Sequence, residues 1–182
     1  NSAKLAYETV RTEDLPPGLT DLSERIAAAE TARGAARVDP PEQIVAVEAG
    51  GFALEFRPLL ESERRNAAMS LATNLAVAQA LVAHRTGLFR VMAGPDAKAE
   101  ARLRHTAAAL GVAWSDAQPL ADRARALDPT KPAEAALMLA IRRAGDGASY
   151  APYRAGETPW HAAVAATYAQ ATAPLRRLAD RY

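Results

Sequence analysis

At 182 residues the chain is long enough for one domain with a real core and short of two comfortable ones. Hydrophobic residues make up 49% but aromatics only 5%, so alanine carries much of the apolar count and biases the chain toward helix. No cysteine is present, which excludes a disulfide framework and a thiolate metal site and fits a reducing, cytoplasmic setting.

The formal charge of +1 hides an asymmetry. From Ala140 onward six arginines face only Asp146, Glu157 and Asp180, and Lys4, Lys98 and Lys131 are the sole lysines of the chain. Guanidinium suits bidentate phosphate contact better than ammonium does, although codon bias toward Arg and Ala in a high-GC genome accounts for the same excess. No membrane span is expected, because the densest apolar stretch, 71–82, contains Thr73, Asn74 and Gln79. No signal peptide is recognisable. The start at Asn1 rather than Met leads us to expect a piece of a longer polypeptide.

Taken in order, Lys4 to Val10 alternates and reads as a short strand, and Pro16-Pro17-Gly18 as a loop. A helix is expected from Thr20 or Asp21 to about Arg33, with Asp21 and Glu24 spaced as a capping box and Gly34 just past its end. Two β-favouring runs around Gly50-Gly51, at 43–48 and 52–57, predict a hairpin closed by Pro58. Its Phe52, Leu54 and Phe56 share one face and are expected in the core rather than as base-stacking platforms. The longest helix runs from Glu61 to about His84 and carries Asn66, Ser70, Thr73 and Asn74 at helical spacing, polar groups that need partners if buried. Leu88 to Met92 reads as a strand, Asp96 to about Leu110 as a capped helix, and Asp116 to Ala126 as a weaker one. Thr130 is expected to cap a helix starting at Pro132 and ending in Arg142-Arg143, where the helix dipole favours cations. Ser149 to Arg154 reads as a strand, and the small residues after Trp160-His161 suggest close backbone approach or a segment lining a narrow passage.

The chain closes on Tyr168-Ala169-Gln170-Ala171-Thr172-Ala173-Pro174-Leu175-Arg176-Arg177-Leu178-Ala179-Asp180-Arg181-Tyr182. Thr172 and Pro174 read as the N-cap and first turn of a helix. Arg176 and Arg177 then sit at the positive end of its dipole, where cations are disfavoured by about 0.3–1 kcal/mol each. Either a buried carboxylate pairs with them or an anion such as phosphate binds there. Asp180, four residues past Arg176, is placed for an intrahelical ion pair.

This run resembles the Tyr-x-His-x-Thr-Ser-Pro-Ile-Arg-Arg-Tyr-x-Asp signature near the end of the RNB catalytic domain of the ribonuclease II and ribonuclease R family. Tyr168, Thr172, Pro174, Arg176, Arg177 and Asp180 match, whereas Gln170 replaces the usual His, Ala173 the Ser, Leu175 the Ile and Leu178 the second Tyr. It looks most like a variant branch reading Thr-Ala-Pro-Leu-Arg-Arg-Leu. The succession from the long helix through Leu88-Phe89-Arg90-Val91 to Leu110-Gly111-Val112 is also similar to that domain, although 66–68 reads Asn-Ala-Ala where the common form is acidic.

The resemblance implies an α+β fold, with residues 1–182 forming the second half of an RNB-type catalytic domain. It implies a 3′-to-5′ exoribonuclease that hydrolyses single-stranded RNA to nucleoside 5′-monophosphates with Mg²⁺. The Mg²⁺ ligands are expected in an N-terminal half outside this chain, whose own aspartates are scattered singly. Arg176 is then the residue that clamps the scissile phosphate. Arg177 holds an adjacent phosphate or a structural carboxylate, and Tyr168, Gln170, Thr172 and His161 lie on the substrate side. His84 and His105 read as surface residues, and no P-loop, Rossmann glycine pattern or Ser-His-Asp order occurs. Two other readings remain open: a non-catalytic RNA-binding module that lacks the metal site, and an α+β scaffold with an internal Arg–Asp network. A D-x5-D-x-D-D cluster ahead of Asn1 would separate the enzyme from the module.

Overall fold

A computed structural model describes residues 5–57 and 59–181. Five helices and four short strands follow one another among them: α1 Leu19–Ala32, β1 Glu42–Glu48, β2 Gly51–Arg57, α2 Glu61–Ala83, β3 Leu88–Val91, α3 Ala97–Ala109, α4 Leu120–Arg125, α5 Pro132–Arg143 and β4 Ser149–Pro152. The α+β expectation holds. The chain divides into two units, one drawn from the segments ending at Ala35, spanning Leu60–Ala93 and starting at Ala148, the other from Ala36–Leu59 and Gly94–Gly147.

In the first unit α1 packs on α2, and β3 pairs antiparallel with β4. Its small core joins Ala78 of α2, Phe89 of β3 and Ala169, with Val77, Leu81, Val91 and Tyr153 around them. Gly87 makes the tight exit from α2: its φ is +99°, and a Cβ there would meet the Leu81 side chain at 2.6 Å. Length and apolarity alone admit α2 as a membrane span, a correction to the expectation drawn from 71–82. Four of its polar residues are nonetheless engaged within the protein. Asn66 Nδ2 donates to the Tyr7 hydroxyl at 2.9 Å, Ser70 bonds Thr172, Thr73 donates back to the Met69 carbonyl, and Asn74 reaches Tyr168.

The second unit is built around Leu103 and Ala107 of α3, Val112, Ala124, Leu127, and Leu137, Met138 and Ile141 of α5. Asp96 caps α3 as its sequence predicts, accepting from the Ala99 N–H at 2.7 Å. β1 and β2 form the expected hairpin, with Val45 opposite Leu54 and Val47 opposite Phe52. The burial expected for its apolar face is wrong. Phe52 is 80% exposed, Leu54 73% and Phe56 38%. A period of two says that side chains share a face, and a two-stranded ribbon has no second layer of its own to cover it.

Other departures have local causes. Residues 5–10 make a turn rather than a strand, while Lys4, Pro58 and Tyr182 lie outside the described residues. α1 begins at Leu19 after Gly18 in the left-handed conformation, so Asp21 falls within its first turn and bonds Arg25 instead of forming a box with Glu24. Thr130 does not cap α5: both its N–H and its hydroxyl bond the Asp128 carboxylate.

Candidate nucleic-acid interface

Asn74 is the anchor of the site. It is 2% exposed on α2. Its Nδ2 donates to the Tyr168 hydroxyl and its Oδ1 accepts from the Ala171 N–H, both at 2.9 Å. One helix turn earlier, Ser70 Oγ lies 3.0 Å from Thr172 Oγ1. These bonds lay 168–172 along α2, and the Tyr168 carbonyl also accepts from the Arg90 N–H of β3 at 2.8 Å. Gln170 accepts from the Tyr150 hydroxyl of β4 at 2.8 Å. Five predicted residues, Tyr168, Gln170, Thr172, Arg176 and Arg177, thus lie on one segment pinned to a helix and a sheet.

The helix expected at the arginines is absent. Pro174 to Arg176 form a turn, and a four-residue 3₁₀ segment, Leu178–Arg181, follows. The dipole argument therefore lapses, and Thr172 spends its hydroxyl on Ser70 rather than on a cap. Asp180 explains the change. Its side chain is fully buried, accepts from the Ala173 N–H at 2.8 Å and takes the Arg177 Nε at 3.0 and 3.1 Å. That carboxylate closes the turn from seven residues downstream, a job an α-helical Asp180 has no geometry for. The expected Arg176–Asp180 pair is replaced by Arg177–Asp180.

The two arginines consequently differ. Arg177 is held on a buried carboxylate, the structural one of the two roles weighed for it. Arg176 is exposed, and its guanidinium has no partner among the described residues. Arg142 and Arg143 stand at the C-terminal end of α5, as the dipole prefers. Arg104, beside a depression of about 310 Å³ in the second unit, is stacked on Trp114 and bonded to Glu100 and two carbonyls.

His161 is 9% exposed, with its ring edge-on to Tyr168 at 5.4 Å between centroids. Its backbone N–H donates to the Ala166 carbonyl, closing a loop in which Ala165 has a φ of 51°. Nδ1 is buried without a hydrogen-bond partner among the described residues. Burial first, and the Arg90 guanidinium second, push its pKa below the ordinary histidine value. The folded chain therefore takes up this proton less readily than the unfolded chain. Stability is full above about pH 6.5 and falls as the pH drops from there through the lowered native value. His161→Gln is expected to flatten the acid side of a Tm-against-pH curve; an unchanged curve would assign the acid sensitivity to other groups. His84 and His105 are exposed.

Among the described residues no three His, Asp or Glu side chains gather as a metal ion requires. The residues present do not fit a Mg²⁺ site. Arg90 and Tyr150, which the sequence reading passed over, face each other across β3 and β4 with the guanidinium carbon 4.7 Å from the ring centroid. The aromatic-strand pattern of 149–154 was the available hint, but the pairing that opposes it to Arg90 spans sixty residues.

No family model matches the chain, and no curated protein matches it. Among solved structures it is similar to Mycoplasma genitalium RNase R in complex with ribose-methylated single-stranded RNA, and to the apo form of that protein. In both, the TM-score is 0.69 at 21% identity over 89% of this chain and 26% of that one. The same RNase R in complex with double-stranded RNA gives a TM-score of 0.68 at 20% identity, over 90% and 30%. The chain thus has the fold of a segment of RNase R and spans about a quarter of its length.

Proposed function

We propose that the protein carrying this chain is a 3′-to-5′ exoribonuclease that hydrolyses single-stranded RNA to nucleoside 5′-monophosphates, and that residues 1–182 supply the phosphate-clamping side of its site. The observation that carries this reading is the division of labour within one arginine pair. Arg177 is locked on Asp180 and fixes the turn, while Arg176 is left free on it, with the whole segment tied to α2 by Asn74 and Ser70. A guanidinium on a rigid mount is preorganised to stabilise charge developing on a phosphoryl oxygen. The RNase R fold and the Thr172 to Asp180 motif support the same reading.

Mg²⁺ would be held by carboxylates outside this chain, in an N-terminal half that is its working partner. There it would supply the activated water and neutralise the leaving oxygen. Tyr168 and Thr172 position the segment, Gln170 is carried on it, and His161 borders it. A second reading of the same site is an RNA-binding module without hydrolysis, since an exposed guanidinium on a fixed turn binds a phosphate with or without catalysis.

Both are tested on 5′-labelled single-stranded RNA with the full-length protein and Mg²⁺. The enzyme is expected to give a ladder shortening one nucleotide at a time from the 3′ end, with mononucleotide product, and to stop when EDTA is added. Tight binding with intact RNA would establish the module instead.

A further inference from the structure

Arg90 has no place in the scheme above. It sits on β3 directly opposite Tyr150 of β4, and its guanidinium lies over the Tyr150 ring at 4.7 Å. The ring restricts the guanidinium to one plane and supplies part of its electrostatic balance. It supplies no acceptor. Among the described residues no carboxylate pairs with Arg90 and its side chain donates no hydrogen bond, although the residue is half-buried. The Tyr150 hydroxyl is spent on Gln170 Oε1 at 2.8 Å, which turns the amide so that its Nε2 is the end left over, again with no described acceptor. Guanidinium and amide are thus held by one tyrosine, the first through its face and the second through its hydroxyl. Both offer donors only. The Arg90 backbone N–H is meanwhile bonded to the Tyr168 carbonyl, so the group belongs to the segment that carries Arg176.

We propose that Arg90, Tyr150 and Gln170 form a second phosphate subsite, additional to Arg176, that takes a backbone phosphate of the bound RNA. The proposal rests on the exoribonuclease reading for its ligand. A fixed, planar donor fork with an amide beside it matches the oxygens of a phosphate, an acceptor-only group. The three residues bind and do not react: the subsite contributes affinity and register, while Arg176 acts on the bond that breaks.

The test is the salt dependence of binding of a short fluorescein-labelled oligoadenylate to the full-length protein, measured without Mg²⁺ across a potassium chloride titration. Each phosphate neutralised on a single strand contributes about 0.7 to the slope of log K against log salt. Arg90→Gln is expected to weaken binding about three- to tenfold and to reduce the slope by about 0.7. Arg90→Lys is expected to restore the slope. Gln170→Glu, at a half-buried position, is expected to weaken binding with the wild-type Tm, which guards against misfolding as the explanation. Competition by AMP with the wild type but not with Arg90→Gln would assign the subsite to a product's terminal phosphate; no competition would assign it to an internal phosphodiester. An unchanged slope in Arg90→Gln, whatever its affinity, overturns the subsite and leaves Arg90 a structural partner of Tyr150. A wild type that binds RNA but never shortens it would defeat the exoribonuclease reading while leaving the slope measurement legible.

Discussion

Replacing Arg176 with alanine in the full-length protein is expected to lower kcat for RNA hydrolysis by about 10²–10³-fold, with RNA affinity changed by only a few-fold. The reasoning is differential. Arg176 is exposed and has no partner among the described residues, so its removal leaves none of their buried groups unsatisfied and the fold has no reason to respond. Charge that grows on the phosphoryl oxygens during bond breaking loses its preorganised counter-charge, whereas the ground-state RNA keeps its other contacts. Arg177→Ala is the control. It strands the buried Asp180 carboxylate with only the Ala173 N–H, and about 1–3 kcal/mol of stability is expected to go with it. The Arg176 variant should therefore melt like the wild type while the Arg177 variant melts lower. If Arg176→Ala degrades RNA at the wild-type rate, the clamp assignment is wrong.

The largest effect on stability is expected at Asn74. Asn74→Ala removes a donor and an acceptor from a side chain that is 2% exposed: the Ala171 N–H loses its acceptor and the Tyr168 hydroxyl loses the Asn74 donor. Unsatisfied groups at about 1–3 kcal/mol each, with some relaxation toward solvent, place the loss at about 2–4 kcal/mol, or roughly 5–15 °C in Tm. Asn74→Leu separates the bonds from the volume they occupy: it fills the space and makes neither bond. The leucine variant is expected to be as destabilised as the alanine variant, and to lose kcat because the Arg176 turn is no longer held against α2. A stable, active Asn74→Leu protein would mean that packing alone seats the segment.

Much of the scaffold could be read from local pattern. Gly50-Gly51 between β-favouring runs, the long apolar succession of α2, Asp96 ahead of α3 and Pro132 at the start of α5 each carry their instruction within a few residues, and the elements stand where those signals place them. The site was legible only in part. The motif located the 168–177 segment, and the unexplained polar residues of α2 announced that partners were needed. Their identity was hidden, because Ser70–Thr172 and Asn74–Tyr168 join positions about a hundred residues apart. The terminal helix failed for a more instructive reason. Thr172 and Pro174 do signal a helix start, but Asp180 offers the Ala173 N–H and Arg177 a better-satisfied turn, and local propensity of a few tenths of a kcal/mol yields to that. The hairpin failed from the opposite side: alternation correctly gave a shared apolar face at Phe52, Leu54 and Phe56 and had no information about a covering layer.

The first unit takes its parts from three stretches of chain, and two excursions belonging to the second intervene. Among the described residues its final stretch has no helix of its own beyond a single 3₁₀ turn and borrows its order from α2, made far earlier in the sequence. On a ribosome, α2 would emerge with Ser70 and Asn74 lacking their mates until translation had supplied the arginine segment. Assembly of the Arg176 turn is thereby deferred to the last step of ordering this unit, and the same large loops that delay it set how readily it opens.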